Sequence, residues 1–116
     1  MAVRIAPLEN GSFIVTFDSV EDREPECTGY RIFLKTKKGN FSLVAAPVKA
    51  QWKKEYSLKI FIDDKITPLL PEGQITIEVV PIIKKKDGKE VASRFVSIGE
   101  LMQPPYLRQK FIKRSA

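Results

Sequence analysis

The stretch Leu69-Leu70-Pro71-Glu72-Gly73-Gln74-Ile75-Thr76-Ile77-Glu78-Val79-Val80-Pro81 decides how this chain is read. A Pro/Gly turn hands over to a segment in which Ile75, Ile77 and Val79 alternate with Thr76 and Glu78. Successive side chains on a strand point to opposite faces, so the alternation predicts a strand with one aliphatic side on a core and one polar side outward.

The same period recurs on either side. Val3 and Ile5 alternate with Arg4 ahead of Pro7 and predict a short first strand. Asn10-Gly11-Ser12 reads as a turn, after which Phe13, Val15 and Phe17 share one face of a second strand. Residues 18–26, acidic and containing Pro25, read as a loop. In residues 30–36, Tyr30, Ile32 and Leu34 alternate with Arg31 and Lys35, and Phe33 falls on the outward face. Lys37-Lys38-Gly39-Asn40 is a hairpin-type turn, with a return strand over 41–46 ended by Pro47. Residues 47–55 show no clean period. Tyr56, Leu58, Ile60 and Ile62 then share a face, and Asp63-Asp64-Lys65 ends that strand. Further on, Lys84-Lys85-Lys86-Asp87-Gly88-Lys89-Glu90 joins two strands through Asp87-Gly88, a strong hairpin signal. The last strand is expected over 91–98, at a sheet edge, and Gln103-Pro104-Pro105 marks a boundary. Six or seven short strands with frequent turns, and no helical period in the body, argue an all-β antiparallel sandwich or barrel.

Taken together these residues resemble a fibronectin type III domain. Phe17 stands where that family often has a tryptophan on its second strand, and Tyr30 where a tyrosine begins its third. The stretch 69–81 keeps the leucine, proline and three alternating apolar positions of the family's Leu-x-Pro-Gly-x-x-Tyr-x-Val-x-Val-x-Ala corner, with the glycine one residue late. The resemblance covers residues 3–98 and implies a seven-strand antiparallel immunoglobulin-like sandwich. Two departures stand out. Ile75 replaces the corner tyrosine, removing its phenol-to-backbone hydrogen bond. Pro81 falls in what should be an internal strand and, lacking an N–H, predicts a bulge or break there. Residues 1–103 are thus expected to form the sandwich and residues 104–116 an extended basic tail.

At 116 residues the chain holds one domain's worth of core. No apolar run reaches the roughly 18 residues of a spanning helix, and the first residues lack the basic start and apolar stretch of a signal peptide. The expected setting is therefore cytoplasmic synthesis without membrane contact. The net charge of +6 is uneven. Residues 104–116 hold four cations and no acid, while residues 9–26 carry six acids against Arg23.

Chemistry has little to work with. The absence of histidine removes Ser-His-Asp, Cys-His and the usual zinc arrangements, and no glycine-rich phosphate loop occurs. Asp63-Asp64 has no spaced ladder of further oxygen ligands and reads as a solvated loop end. Cys27, the single cysteine, lies among acids rather than cations and reads as an incidental thiol at a loop end. No catalysis, cofactor or metal is expected.

The remaining signals concern partners. The tail combines Tyr106, Leu107, Phe111 and Ile112 with Arg108, Lys110, Lys113 and Arg114. The segment reads either as an idle frayed end or as an arm that docks on a protein partner or a second copy. Chain ends without a role are usually poor in aromatics, and the docking arm is the reading carried forward. With the resemblance, the leading expectation is a structural interaction module, and small domains of this family without a signal sequence occur in phage virions. Lys84, Lys85, Lys86 and Lys89 at a hairpin tip, with Lys49, Lys53 and Lys54 near Trp52, make nucleic-acid binding through phosphate contact the second reading. A surface or carbohydrate adhesion module, using Trp52 and Phe33, is the third.

Overall fold

The computed structural model describes residues 3–8, 12–62, 65–71 and 74–102. Among them the chain forms nine β-strands and one short 3-10 turn, with no α-helix. The strands are β1 (Val3–Pro7), β2 (Ser12–Asp18), β3 (Cys27–Thr36), β4 (Gly39–Ser42), β5 (Val48–Lys49), β6 (Glu55–Phe61), β7 (Gln74–Lys84), β8 (Glu90–Ala92) and β9 (Ser97–Met102). All pairings are antiparallel. One sheet runs β1-β2-β6. The other is built on the β3–β7 pair, with β4 and β5 on the free side of β3 and β8 and β9 on the free side of β7.

The aliphatic period sets which side of each sheet is dry. Phe13, Val15 and Phe17 of β2, Tyr30, Ile32 and Leu34 of β3, and Ile75, Ile77 and Val79 of β7 are all buried and join one core with Tyr56 and Ile60 of β6. The two sheets therefore face each other across a single apolar layer, as amphipathic strands require.

Three local expectations need correction. Seven strands were expected and nine segments occur: the return strand expected over 41–46 is the shorter, earlier β4, and the last strand is split into β8 and β9 and extends to Met102. At the corner the family pattern's leucine falls at Leu69, but it is Leu70 that is buried, because residues 67–69 form the 3-10 turn and direct the Leu69 carbonyl to the Lys37 N–H. Cys27 closes the 19–26 loop but belongs to the core. It begins β3, is buried, and points its thiol at the Gly29 carbonyl, 3.4 Å away.

Pro81 does not break its strand. β7 runs through it, and its register partner on β3 is Tyr30. Its carbonyl accepts a 2.8 Å hydrogen bond from the Ser93 N–H, on the side away from β3. A strand residue directs N and O to the same side, so the missing N–H faces the junction between β8 and β9 and costs no β3–β7 bond. The irregularity lies on β3 instead, where the register shifts between Cys27 and Gly29. There β5 approaches so closely that a Cβ on Gly29 would lie 2.8 Å from the Val48 carbonyl oxygen.

Candidate functional site

Two loops close one end of the double sheet. Residues 19–26 lead from β2 to β3, and residues 50–54 lead from β5 in one sheet to β6 in the other. Between them lies a carboxylate. Glu21 is only 2% exposed. Its Oε2 accepts from the Tyr30 hydroxyl at 2.7 Å and the Tyr56 hydroxyl at 2.6 Å, and its Oε1 accepts from the Trp52 N–H. Each phenol also accepts in turn, Tyr30 from the Val20 N–H at 3.0 Å and Tyr56 from the Gln51 N–H at 2.8 Å.

Tyr30 belongs to one sheet and Tyr56 to the other, so this carboxylate ties the sheets together from above. Below it the rings of Phe17, Tyr30 and Tyr56 lie with centroids 5.0–5.4 Å apart, Phe17 stacked on Tyr56 and the other pairs tilted. Such contacts add to area burial. Both Glu21 oxygens are engaged by structural donors, which makes the group a pin for the fold rather than an acid or base for chemistry.

Burial, reinforced by the neighbouring carboxylate, pushes both phenols above the usual tyrosine range, with the backbone donors to each acting against it. The sign of the consequence follows. A folded-state value above the unfolded one leaves stability intact below pH ~10 and lowers it as pH rises further, because the unfolded chain releases protons that the folded chain keeps. Unfolding free energies from urea titrations should therefore fall as pH rises above about 10, by up to about 1.4 kcal/mol per pH unit per tyrosine. Tyr30→Phe and Tyr56→Phe should each flatten the fall, and an unchanged slope in both would contradict the burial of these phenols. The Cys27 thiol is raised too, chiefly by burial.

Trp52 sits on top of the pin. Its backbone φ is +56°, and it is the only non-glycine residue with positive φ among the described residues. Its side chain is left outside, 73% exposed. Four bonds hold the loop: the Trp52 and Gln51 N–H groups to Glu21 and Tyr56, the Ala50 N–H to the Thr28 carbonyl at 3.0 Å, and the Lys54 carbonyl to the Ser19 N–H at 2.9 Å. Beside the indole a cleft of about 510 Å³ is lined by Asp18, Ser19, Glu21, Asp22, Lys53 and Lys54.

The residues singled out from sequence are distributed differently. Lys84, Lys85, Lys86 and Lys89 are exposed at the β7–β8 turn, which Gly88 closes at φ +86°. Lys85 and Lys86 share a shallow hollow with Glu26 and Asp87, so the cations are interleaved with acids. The tail residues Tyr106, Leu107, Arg108, Lys110, Phe111, Ile112, Lys113 and Arg114 lie outside the described residues, as do Asp63 and Asp64. Among the described residues no group of three or more Cys, Asp or Glu is placed to hold a metal ion, and no helix is long and apolar enough to cross a membrane. Glu21 was missed by sequence reasoning. It stands in a run of acids, with no period or motif to mark it.

The described residues thus define an all-β, two-sheet antiparallel domain with a buried tyrosine–glutamate–tyrosine pin under an exposed tryptophan. Compared with known proteins, the chain matches no family model, no curated protein and no solved structure.

Proposed function

We propose that the chain is a non-catalytic protein-interaction module, a fibronectin type III-like sandwich that docks on a partner subunit or a second copy through its C-terminal tail, with a phage capsid or tail as its setting. The sheet order supports the sandwich. Counting β4 with β5 and β8 with β9, the first, second and fifth strands share one sheet and the third, sixth and seventh the other, as in immunoglobulin-like domains.

One observation carries the docking reading. On the outward face of β9, Ile98 is 49% and Met102 67% exposed, with Glu100 between them. In sequence, Gln103 alone separates Met102 from the tail. The exposed apolar side chains of β9 thus stand, in sequence, just before the stretch that holds Tyr106, Leu107, Phe111, Ile112 and four cations, and together they supply the residue types a partner would cover.

Deleting residues 104–116 is expected to leave the melting temperature within about 3 °C, since the buried core of the two sheets is already assembled from residues 3–101, and a change that spares such a core moves stability by roughly 0.5 kcal/mol or less. The same deletion should return the assembly formed with the partner to the mass of its separate components on light scattering. An unchanged assembly mass rejects the tail as the docking element.

A further inference from the structure

We infer that the cleft beside Trp52 is a binding site for a neutral carbohydrate. The inference does not use the tail and stands or falls separately from the docking reading. It begins with the conformation of Trp52. An L residue at φ +56° occupies a region that bulky side chains avoid, and such strain persists only where the surroundings enforce it. Here they do: Glu21 holds the Trp52 N–H, Tyr56 holds the Gln51 N–H, and Ser19 holds the Lys54 carbonyl. The product of that arrangement is a large aromatic displayed outward, 73% exposed, on a loop pinned to the core. Packing does not account for the display, because the indole is mostly out of the core. A rigid, exposed aromatic plane beside a cleft is what a ligand with a flat apolar face requires.

The cleft selects the ligand class. Its volume of about 510 Å³ falls within the roughly 300–1,000 Å³ of small-molecule sites. Its walls mix Asp18, Glu21 and Asp22 with Lys53 and Lys54 and the Ser19 side chain. A phosphate chain would meet the carboxylates, and a cationic peptide would meet the ammonium groups. A sugar ring is uncharged, carries hydroxyls that both donate and accept, and has an axial C–H face that lies flat on an indole. Carboxylates accept hydrogen bonds from hydroxyls, and ammonium groups donate to hydroxyl oxygens. Of these groups Asp22 is exposed on the rim, whereas Asp18 is already shared with Arg4 at 3.4 Å and Glu21 is engaged below. The geometry assigns the stacking to Trp52 and the first polar contact to Asp22.

Trp52 is the only tryptophan, so intrinsic fluorescence of the full chain reads the site directly. Cellohexaose, chitohexaose, maltohexaose and laminarihexaose are the probes. At least one should give a saturable change with a dissociation constant of about 1 mM or tighter. By calorimetry with the same glycan, Trp52→Gly should weaken binding at least tenfold while melting at or above the wild-type temperature, because glycine is at ease at this φ. Asp22→Asn should weaken binding several-fold, and the chain lacking residues 104–116 should bind as the full chain does. No saturable response to any of the four at about 10 mM overturns the inference. So does unchanged affinity in Trp52→Gly. Quenching by oligothymidylate that weakens steeply with salt, without a glycan response, would give the site to single-stranded nucleic acid instead.

Discussion

Replacing Glu21 with leucine is expected to destabilise the domain by about 3–6 kcal/mol, a substantial part of the roughly 5–15 kcal/mol that holds a domain of this size together. The estimate comes from what is left behind. Leucine fills the space but accepts no hydrogen bond, so the hydroxyls of Tyr30 and Tyr56 lose their acceptor inside the protein. Each stranded donor costs about 1–3 kcal/mol, and each lost bond was to a charged group. Urea unfolding followed by circular dichroism measures the loss. A change below about 1 kcal/mol would show that the carboxylate is not a pin. Glu21→Gln should be milder and more local. Its amide oxygen can still serve both tyrosines, but its NH₂ then faces the Trp52 N–H, donor against donor. That variant should disturb Trp52 fluorescence more than global stability. The triple variant Glu21→Leu/Tyr30→Phe/Tyr56→Phe should recover much of the loss, since removing both sides of a buried polar contact costs far less than removing one.

The contrast between strands and site in this chain has a physical cause. Ile75, Ile77 and Val79, or Phe13, Val15 and Phe17, announce themselves because burial by a strand imposes a period of two on neighbouring residues. The strands and their dry faces followed from that local signal; the sheet order, a matter of long-range pairing, did not. The pin did not, because its members are 9, 31 and 35 residues from Glu21 and share no period. Glu21 looks like Asp22 and Glu24 in the sequence; only the meeting of two loops distinguishes it. Pro81 misled for a related reason. A missing N–H predicts a broken ladder only if that N–H faces a partner strand, and which side it faces is a matter of register, fixed here by the Tyr30–Pro81 pairing and the Ser93 bond. Trp52 was visible as an exposed aromatic, but its positive φ and its attachment to a buried carboxylate were not. Those two facts turn an exposed side chain into a candidate binding platform.

Gly99→Ala, at the other place where the sheets meet, should cost about 2–4 kcal/mol. β1 is the edge strand of one sheet and β9 lies at the edge of the other, and they touch where Val3 faces Gly99. A Cβ on Gly99 would lie 2.7 Å from the Val3 Cβ and 2.8 Å from its Cγ1, with the Val3 carbonyl oxygen nearer still. Real Cβ atoms do not approach backbone that closely, so β1 must lift from β9 and open the core at Val3. The nature of the obstructing atoms makes the prediction specific. Val3→Ala trims Cγ1 but leaves the carbonyl, so it should not rescue Gly99→Ala; the double variant should be no more stable than the single one. Gly88 gives the control. Its φ of +86° makes alanine there cost about 1–2 kcal/mol through backbone strain, yet no neighbour lies within 4 Å of the added carbon. Unfolding by urea should rank Gly99→Ala below Gly88→Ala. Hydrogen exchange should also separate them, with protection lost along β1 in the first and only at the β7–β8 turn in the second. Equal losses at the two sites, or rescue by Val3→Ala, would mean that β1 slides along β9 to admit a side chain, and that the close approach is a convenience of packing rather than a constraint on how the two sheets close.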